Sequence, residues 1–330
     1  MSPNIDTMTA SEILNHVQII FQQWRGGQLP FWEAFNQLEA MQHRSQALGD
    51  RMAEAFVCLA LGKAQIERSN LDEATEQLQK AIQTFQDTAA YNNLAEPYLY
   101  LGDIAYAQGR LVKAQGHYRD ALRLALNAKN PHFIVAAHSK LGIVLFELEQ
   151  YTQAEEALQN AWKDGQALAQ KTASDHLVSA ETLTYLARLH LRNSHLDDAW
   201  TASEQAVAAS EQASSQLIKG VIQRIQGEIA AHPDFKREHA PNDFFAASQQ
   251  TLRGVKAHAE IGNTLMSQAN YLAKQQKYDE SAETYHRAMQ IFLKCGMASK
   301  AGFASELERE AREKYRGTLW TGYSESASER

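Results

Sequence analysis

The chain has 330 residues, of which 44% are hydrophobic, so it is long enough to bury a substantial core. Its formal net charge is −7 and its Lys and Arg residues are scattered, which argues against nucleic acids and anionic membranes, since both attract clustered positive charge. Cys58 and Cys295 stand far apart without a CxxC spacing, and the N-terminal residues lack an apolar signal segment. We therefore expect a cytoplasmic protein that has no membrane-spanning segment.

The first 50 residues predict a divergent helical hairpin. Residues 1 to 8 carry no periodic pattern and are expected to be flexible. Thr9 and Glu12 form a capping box, which is typical of a helix start. Apolar residues then recur three and four positions apart between 11 and 47, interrupted by a Gly-Gly pair. A terminal unit of a repeat array commonly departs from the pattern of the internal units.

The clearest hairpin pattern lies between 94 and 122. One helix face carries Tyr98, Leu101, Gly102 and Ala105; a second, after a break at Gly109, carries Ala114, Tyr118 and Ala121. The small residues fit where two helices approach closely, and the Tyr and Leu side chains fill the space between them. A single hairpin of this kind cannot bury its own apolar face, so it needs copies of itself on either side.

The sequence contains these copies. The small residue of the second helix recurs at Ala34, Ala74, Ala114 and Ala154, each 40 residues after the last, then at Ala199 after 45 and at Ser281 after 82. Because 82 residues accommodate two units, the pattern predicts seven hairpins. We expect them near 11–47, 53–87, 94–127, 133–170, 177–212, 216–256 and 259–295, followed by a capping helix at 298–315 and a disordered tail at 316–330.

The repeated letters resemble the tetratricopeptide repeat (TPR). In the first helix an aromatic residue or Leu precedes a Leu-Gly pair. In the second helix Ala is followed by Tyr or Leu and then by a second Ala, as in Leu61, Gly62, Ala74, Leu78 and Ala81. Units of about 40 residues are longer than the standard TPR and are similar to those of MalT- and LuxR-type regulators and of peptide-sensing bacterial regulators. The resemblance implies an all-α fold, a right-handed α-solenoid that runs as one domain from 9 to 315.

The sixth unit is interrupted between 232 and 243. The letters HPDFKREHAPND combine two prolines with charges of both signs, which predicts a long exposed loop between two helices. Such a loop is either an insertion tolerated at the edge of the array or a finger that contacts a partner.

We find no motif that indicates catalysis or metal binding. The sequence lacks the glycine-rich phosphate loops, the HExxH metal motif and the GxSxG nucleophile motif. His190 and His195 are five residues apart across a helix end, a spacing that does not place both on one helix face. We therefore expect surface histidines, no metal site, no cofactor and no enzymatic activity.

The resemblance implies where a partner binds, because the first helix of each TPR hairpin lines the inner side of the array. The first-helix positions that face away from Leu-Gly are Lys63, Tyr100, Asp103, Tyr106, Lys140, Phe146, Tyr185, Arg188, Arg192, Arg224, Asn263 and Asn270. Tyr and Arg often anchor interfaces, although each of these residues could instead be solvated or pack on a neighbouring repeat. Some TPR proteins grip a C-terminal carboxylate with Lys, Asn and Arg at set positions. In this chain only Lys140 fits that pattern, so we do not expect such a clamp.

Two functions follow from this surface. One is a non-catalytic adaptor or scaffold that binds a protein or an extended peptide in the groove, with no nucleic acid or membrane partner. The other is a sensor that changes solenoid shape when it binds a peptide or another ligand. The array leaves no room for an effector domain in the sequence, which favours the adaptor, and the ends of the array offer a route to self-association.

Overall fold

A computed structural model describes residues 5–25, 28–236 and 238–328. These ranges contain fifteen α-helices and no strand: α1 (Ala10–Arg25), α2 (Phe31–Leu48), α3 (Arg51–Glu67), α4 (Leu71–Asp87), α5 (Ala95–Ala107), α6 (Leu111–Asn127), α7 (Pro131–Glu147), α8 (Tyr151–Gln166), α9 (Ala173–Arg192), α10 (Leu196–Gln212), α11 (Gln216–Ala230), α12 (Pro241–Gly254), α13 (His258–Lys274), α14 (Tyr278–Lys294) and α15 (Ala298–Ser328). Consecutive helices pair as seven hairpins and α15 follows, which confirms the predicted helical-repeat fold. No helix in these ranges is long and apolar enough to cross a membrane.

The chain divides into two compact units. The N-terminal unit is Met1–Leu168 and holds the hairpins from α1 to α8, and the C-terminal unit is Ala169–Arg330 and holds α9 to α15. In each unit the second helix of a hairpin also contacts the first helix of the next hairpin, as α6 contacts α7 and α10 contacts α11. The expectation of one uninterrupted domain from 9 to 315 stays a prediction.

The hairpin turns share a residue with positive φ. The predicted break at Gly109 has φ of 71°, a left-handed conformation that glycine adopts without steric cost. The Gly109 amide donates to the Tyr106 carbonyl at 2.9 Å, and the next amide, of Arg110, donates to the Ala105 carbonyl at 2.8 Å. Ser69 and Glu149 occupy the same turn position with φ of 61° and 60°. Because these turns accept residues other than glycine, they leave little signal in the sequence.

The predicted close approach of paired helices is confirmed at Gly102. A Cβ atom at this position would overlap the Tyr118 ring, whose side chain is 1% exposed. Gly62 and Gly142 lie in the same way against Leu78 and Leu158. The small second-helix residues Ala34, Ala74, Ala114, Ala154, Ala199 and Ser281 are all buried. The core therefore runs between the helices of each hairpin along the row of small residues that defines the repeat.

The N-terminal residues differ from the prediction of a flexible segment over 1 to 8. Ile5–Thr7 form a 3-10 turn, and Met8 is 7% exposed because its side chain joins the core of the first hairpins. The Arg44 guanidinium donates to the Met8 carbonyl at 3.0 Å and fixes the segment. The Thr9 and Glu12 capping box is present, with the Thr9 amide donating to the Glu12 carboxylate at 2.7 Å. Residues 1–4 lie outside the described part of the chain.

The segment predicted as an exposed loop at 232–243 is partly packed. Its Phe235 and His239 rings lie 5.3 and 4.7 Å from the ring of Trp200 on α10, centroid to centroid. Phe244, in the first turn of α12, meets the same indole edge to face at 5.6 Å. Pro241 begins α12, where its missing amide hydrogen costs nothing. Aromatic stacking therefore holds part of a segment whose charges and prolines suggested full exposure.

Two helix bounds also differ from expectation. The hairpin expected at 177 begins with α9 at Ala173, because Thr172 and Asp175 form a capping box in which the Asp175 amide donates to the Thr172 hydroxyl at 3.2 Å. The cap expected at 298–315 is longer, since α15 extends to Ser328 through most of the predicted tail. Pairs four residues apart, such as Glu308 with Arg312 at 2.9 Å, support this helix. Residues 329 and 330 lie outside the described ranges.

Candidate functional site

The first helices of the N-terminal unit carry five of the predicted groove residues. We call the half-buried set Lys63, Tyr100, Asp103, Tyr106 and Lys140 the N-terminal first-helix face; it spans α3, α5 and α7. The helices α3 and α5 contact each other, as do α5 and α7, so these side chains lie on adjacent elements. Phe146, near the end of α7, packs edge to face on Tyr151 at 5.5 Å and so contributes to its own hairpin turn.

Lys63 is held between carboxylate and aromatic groups. Its ammonium nitrogen lies 2.8 Å from the Glu96 carboxylate on the neighbouring repeat. The same nitrogen lies 5.1 Å from the ring centroid of Phe21 and 5.3 Å from that of Tyr100. A lysine placed over aromatic rings is attracted by their negative faces while part of its charge still reaches solvent. The arrangement presents a positive group flanked by apolar surface.

Asp103 joins two repeats in a different way. Its carboxylate accepts a hydrogen bond from the Tyr118 hydroxyl at 2.7 Å, within its own hairpin. The same oxygen lies 3.6 Å from the Lys140 ammonium on the next first helix. A hydrogen bond to a carboxylate is stronger than one between neutral groups, so Asp103 is fixed in orientation. The face therefore has a pre-positioned ion pair next to the tyrosines of α5.

In the C-terminal unit, α9 carries Tyr185, Arg188 and Arg192. The Arg188 guanidinium lies over the Tyr185 ring, with 4.8 Å between its carbon and the ring centroid. Both side chains are half-buried, while Arg192 is exposed near the end of the helix. Stacking holds the planar guanidinium over the ring. We call these three residues, with Arg224, Asn263 and Asn270, the C-terminal first-helix face.

Arg224 on α11 is largely enclosed, with 16% of its side chain exposed. Its two terminal nitrogens lie 3.2 Å from the Glu228 carboxylate and 3.3 Å from the Glu260 carboxylate. Its Nε is buried and has no hydrogen-bond partner among the described residues. Glu228 also accepts a hydrogen bond from Ser267 of α13. The guanidinium is therefore oriented by carboxylates of two successive repeats and keeps one donor unused.

The two predicted asparagines extend this network. The Asn263 amide group donates to Glu260 at 3.0 Å and its oxygen accepts from the Lys300 ammonium at 3.1 Å. Exposed Asn270 accepts a hydrogen bond from the Tyr285 hydroxyl. Burial raises the pKa of Tyr285, which keeps its phenol protonated as a donor. Both Tyr285 and Tyr118 reach a polar group fifteen residues earlier, so the two units use the same contact.

The repeat pattern did not indicate the partners of these residues, which are Glu96, Glu228, Glu260, Ser267 and Lys300. A signal for them was present, because the contacts between repeats join residues 33 to 39 positions apart, close to one repeat length. Residues at equivalent places in successive first helices lie side by side, so each predicted groove residue indicates its neighbour one unit away.

His190 and His195, whose spacing does not place them on one helix face, lie close together in the structure. The ring centroids of His190 and His195 lie 6.3 Å apart, and Asp198 joins them. A five-residue spacing separates two side chains on a continuous helix, whereas the turn between α9 and α10 folds His195 back beside the end of α9. His195 is exposed in the turn, as expected, and the expectation that the histidines hold no metal stays a prediction.

The hairpin pairs, their row of small residues and the polar first-helix faces define a helical-repeat protein of the tetratricopeptide class. The family model described as the MalT-like TPR region matches residues 38–226, more than half of the chain. The chain belongs to this family, which confirms the resemblance drawn from the repeat letters. No curated protein sequence matches the chain significantly.

Several solved structures share the fold at low sequence identity. The apo form of RapI is similar with a TM-score of 0.65 and 13% identity, over 93% of this chain and 99% of that chain. Aspartyl phosphate phosphatase F from Bacillus subtilis has a TM-score of 0.65 and 12% identity, over 86% and 70%. The Rap conjugation gene regulator of plasmid pLS20, in complex with the Phr* peptide, has a TM-score of 0.61 and 15% identity, over 92% and 76%. At these identities the likeness concerns the fold alone.

Proposed function

We propose that this protein is a non-catalytic adaptor that binds a protein or an extended peptide on its first-helix faces. The observation that carries the proposal is the set of ion pairs that join first helices one repeat apart, such as Asp103 with Lys140 and Arg224 with Glu260. These pairs hold polar side chains at partly exposed positions before any partner arrives. Preorganised groups lose less conformational freedom on binding and so favour recognition.

The chemistry of the faces favours a partner with both apolar and anionic groups. Lys63 lies beside aromatic rings in the N-terminal unit, and Arg188 lies over Tyr185 in the C-terminal unit. Each pair offers a flat apolar surface next to a directed positive donor, a combination that recurs at interface anchors. An extended peptide supplies side chains for the rings, and it supplies carbonyls and carboxylates for the donors. The Phr* peptide complex of the pLS20 Rap regulator supports a peptide ligand for this fold.

Affinity capture followed by a binding titration tests the proposal. The tagged full chain is used to capture partners from native lysate, and the protein or peptide identified is then titrated by calorimetry. Tyr185→Ala with Arg188→Ala should weaken binding about thirtyfold or more, because even one interface anchor is worth about 2 kcal/mol. Arg287→Ala, an exposed arginine on the second helix α14, is the matched control and should bind like the wild type. Equal affinity of all three proteins would contradict the proposal.

A peptide-responsive sensor is the second candidate. It is supported by the position of the pairs Lys63 with Glu96 and Arg224 with Glu260, which span adjacent repeats, so a ligand that replaces one partner changes the contact between repeats. Small-angle scattering of the chain with and without its captured ligand distinguishes the two functions. A ligand-dependent change in radius of gyration indicates a sensor, and an unchanged protein profile indicates an adaptor.

The proposal that the protein is non-catalytic is tested with acetyl phosphate as a phosphatase substrate. We expect no hydrolysis above background.

A further inference from the structure

The turn between α9 and α10 gathers three groups that commonly bind metal ions. His190 lies in the last turn of α9, His195 is the residue before α10, and Asp198 lies in the first turn of α10. One ligand atom from each side chain lies within 4.8 Å of the other two. None of the three belongs to the first-helix faces, so the cluster is a separate feature of the C-terminal unit.

The backbone of the turn explains why the cluster forms. The chain reverses at Ser194, whose φ is 58°, and the His195 amide donates to the His190 carbonyl at 2.9 Å. This hydrogen bond fixes the two histidine backbones next to each other. Asp198 follows His195 by three residues on α10 and so shares its helix face. The turn therefore creates a ligand spacing that a continuous helix would not.

The hydrogen bonding of the side chains leaves them suited to ligation. The Nδ1 atom of His190 is buried and has no hydrogen-bond partner among the residues that the structure describes. A buried polar atom without a partner is unfavourable, and a metal ion would satisfy its lone pair. His195 stands at the N-cap of α10, yet its side chain makes no capping hydrogen bond. Among the described residues, its imidazole is therefore not used to cap the helix.

We propose that His190, His195 and Asp198 bind a divalent transition metal ion of the Zn²⁺ class, with a fourth position open to water or to a partner's ligand. Two imidazoles and one carboxylate are a donor set that zinc accepts in tetrahedral sites. Zinc-to-ligand distances of about 2.0 to 2.2 Å place neighbouring ligand atoms roughly 3.4 Å apart, so the side chains close in slightly on binding. Mg²⁺ and Ca²⁺ prefer oxygen ligands and do not match the two imidazoles.

Such an ion would pin the α9–α10 hairpin at its turn. The ligands come from both helices, so an ion that binds the folded hairpin stabilises it against opening. The open fourth position gives the ion a second use, because a histidine or carboxylate of a partner could complete its coordination. The ion would thus stabilise the hairpin and keep one coordination position open.

Calorimetric titration of the full chain, without a histidine tag, with Zn²⁺ tests the site. We expect one Zn²⁺ per chain, and binding weakened about tenfold or more in His195→Asn and in Asp198→Asn, since each removes one of three ligands. His258→Asn is the matched control because His258 is exposed in the first turn of α13 in the same unit, and it should bind like the wild type. Mg²⁺ should give no binding under the same conditions.

Thermal unfolding provides a second readout. Zn²⁺ should raise the unfolding midpoint of the wild type and of His258→Asn by more than that of Asp198→Asn, and circular dichroism confirms that each variant is folded. Equal Zn²⁺ affinity and equal stabilisation in the wild type and in both site variants would overturn the proposal. So would the absence of saturable Zn²⁺ binding to the wild type.

Discussion

Both units place glycine against a large side chain of the paired helix, but they do so at different levels of their hairpins. In the N-terminal unit Gly62, Gly102 and Gly142 each receive the side chain that follows sixteen residues later, and the small residues repeat every 40. In the C-terminal unit Gly227 receives Phe245 after 18 residues, and Gly262 receives Phe292 after 30. Close helix approach over glycine therefore occurs in both units, whereas the regular sixteen-residue offset of these glycine contacts belongs to the N-terminal unit.

Phe245, a buried aromatic residue of the C-terminal unit, should contribute to stability as a core residue of the N-terminal unit does. Phe245 is fully buried over Gly227, so Phe245→Ala removes a large side chain from a close-packed contact. We expect a loss of about 3 to 5 kcal/mol in the free energy of unfolding, measured by urea denaturation and circular dichroism. Phe303→Ala, at a phenylalanine that is 58% exposed, should change it by less than about 0.5 kcal/mol. Similar losses in both variants would break the comparison.

Adding a single methyl group tests the glycine contact itself. Gly102→Ala forces its Cβ into the Tyr118 ring, so we expect a loss of about 1 to 3 kcal/mol in unfolding free energy. Gly116→Ala is the control on the facing helix, because the space around Gly116 is open. It should stabilise the protein by about 0.5 to 1 kcal/mol, the ordinary helix preference of Ala over Gly. Gly227→Ala should lose stability as Gly102→Ala does, and a neutral result there would limit the rule to the N-terminal unit.

Lowering the pH should cause a smaller loss of unfolding free energy, through two histidines of the N-terminal unit. Burial lowers the pKa of His138 and of His117 below the usual value of 6.5. The unfolded chain then binds protons more tightly than the folded chain, so stability falls as the pH drops through 6.5 and down to the lowered folded pKa. Urea midpoints at several pH values between 7.5 and 5 should decline, and His138→Gln should decline less steeply. His117→Gln should also reduce the slope, because burial lowers the pKa of His117 as well, and an unchanged slope in both variants would contradict this account.

Much of the fold could be predicted from the sequence because its cause is periodic. The repeated small residues require close helix pairs, and the pairs require neighbours, which fixes seven hairpins and a cap. Packing of single side chains outside the period could not be predicted. The rings of Phe235 and His239 meet Trp200 because the chain folds back, and nothing in the local letters encodes that distance.

The candidate site was predictable by position but not by partner. The first-helix positions followed from the resemblance to TPR proteins, and the structure finds them half-buried or exposed on adjacent helices. Which carboxylate meets Arg224 depends on the lateral distance between repeats, a quantity that the sequence pattern does not contain. The histidine cluster could not be predicted for a related reason, because a turn and not a helix sets its geometry.

Hydrogen–deuterium exchange of the full chain, alone and with its captured partner, tests the central claim most directly. If the first-helix faces bind the partner, slower exchange should appear in first helices such as α5, α9 and α11, next to Asp103, Arg188 and Arg224. The second helices of the same hairpins serve as the internal control and should change little. Protection confined to second helices, to the 231–240 connection or to α15 would contradict the assignment of the binding surface.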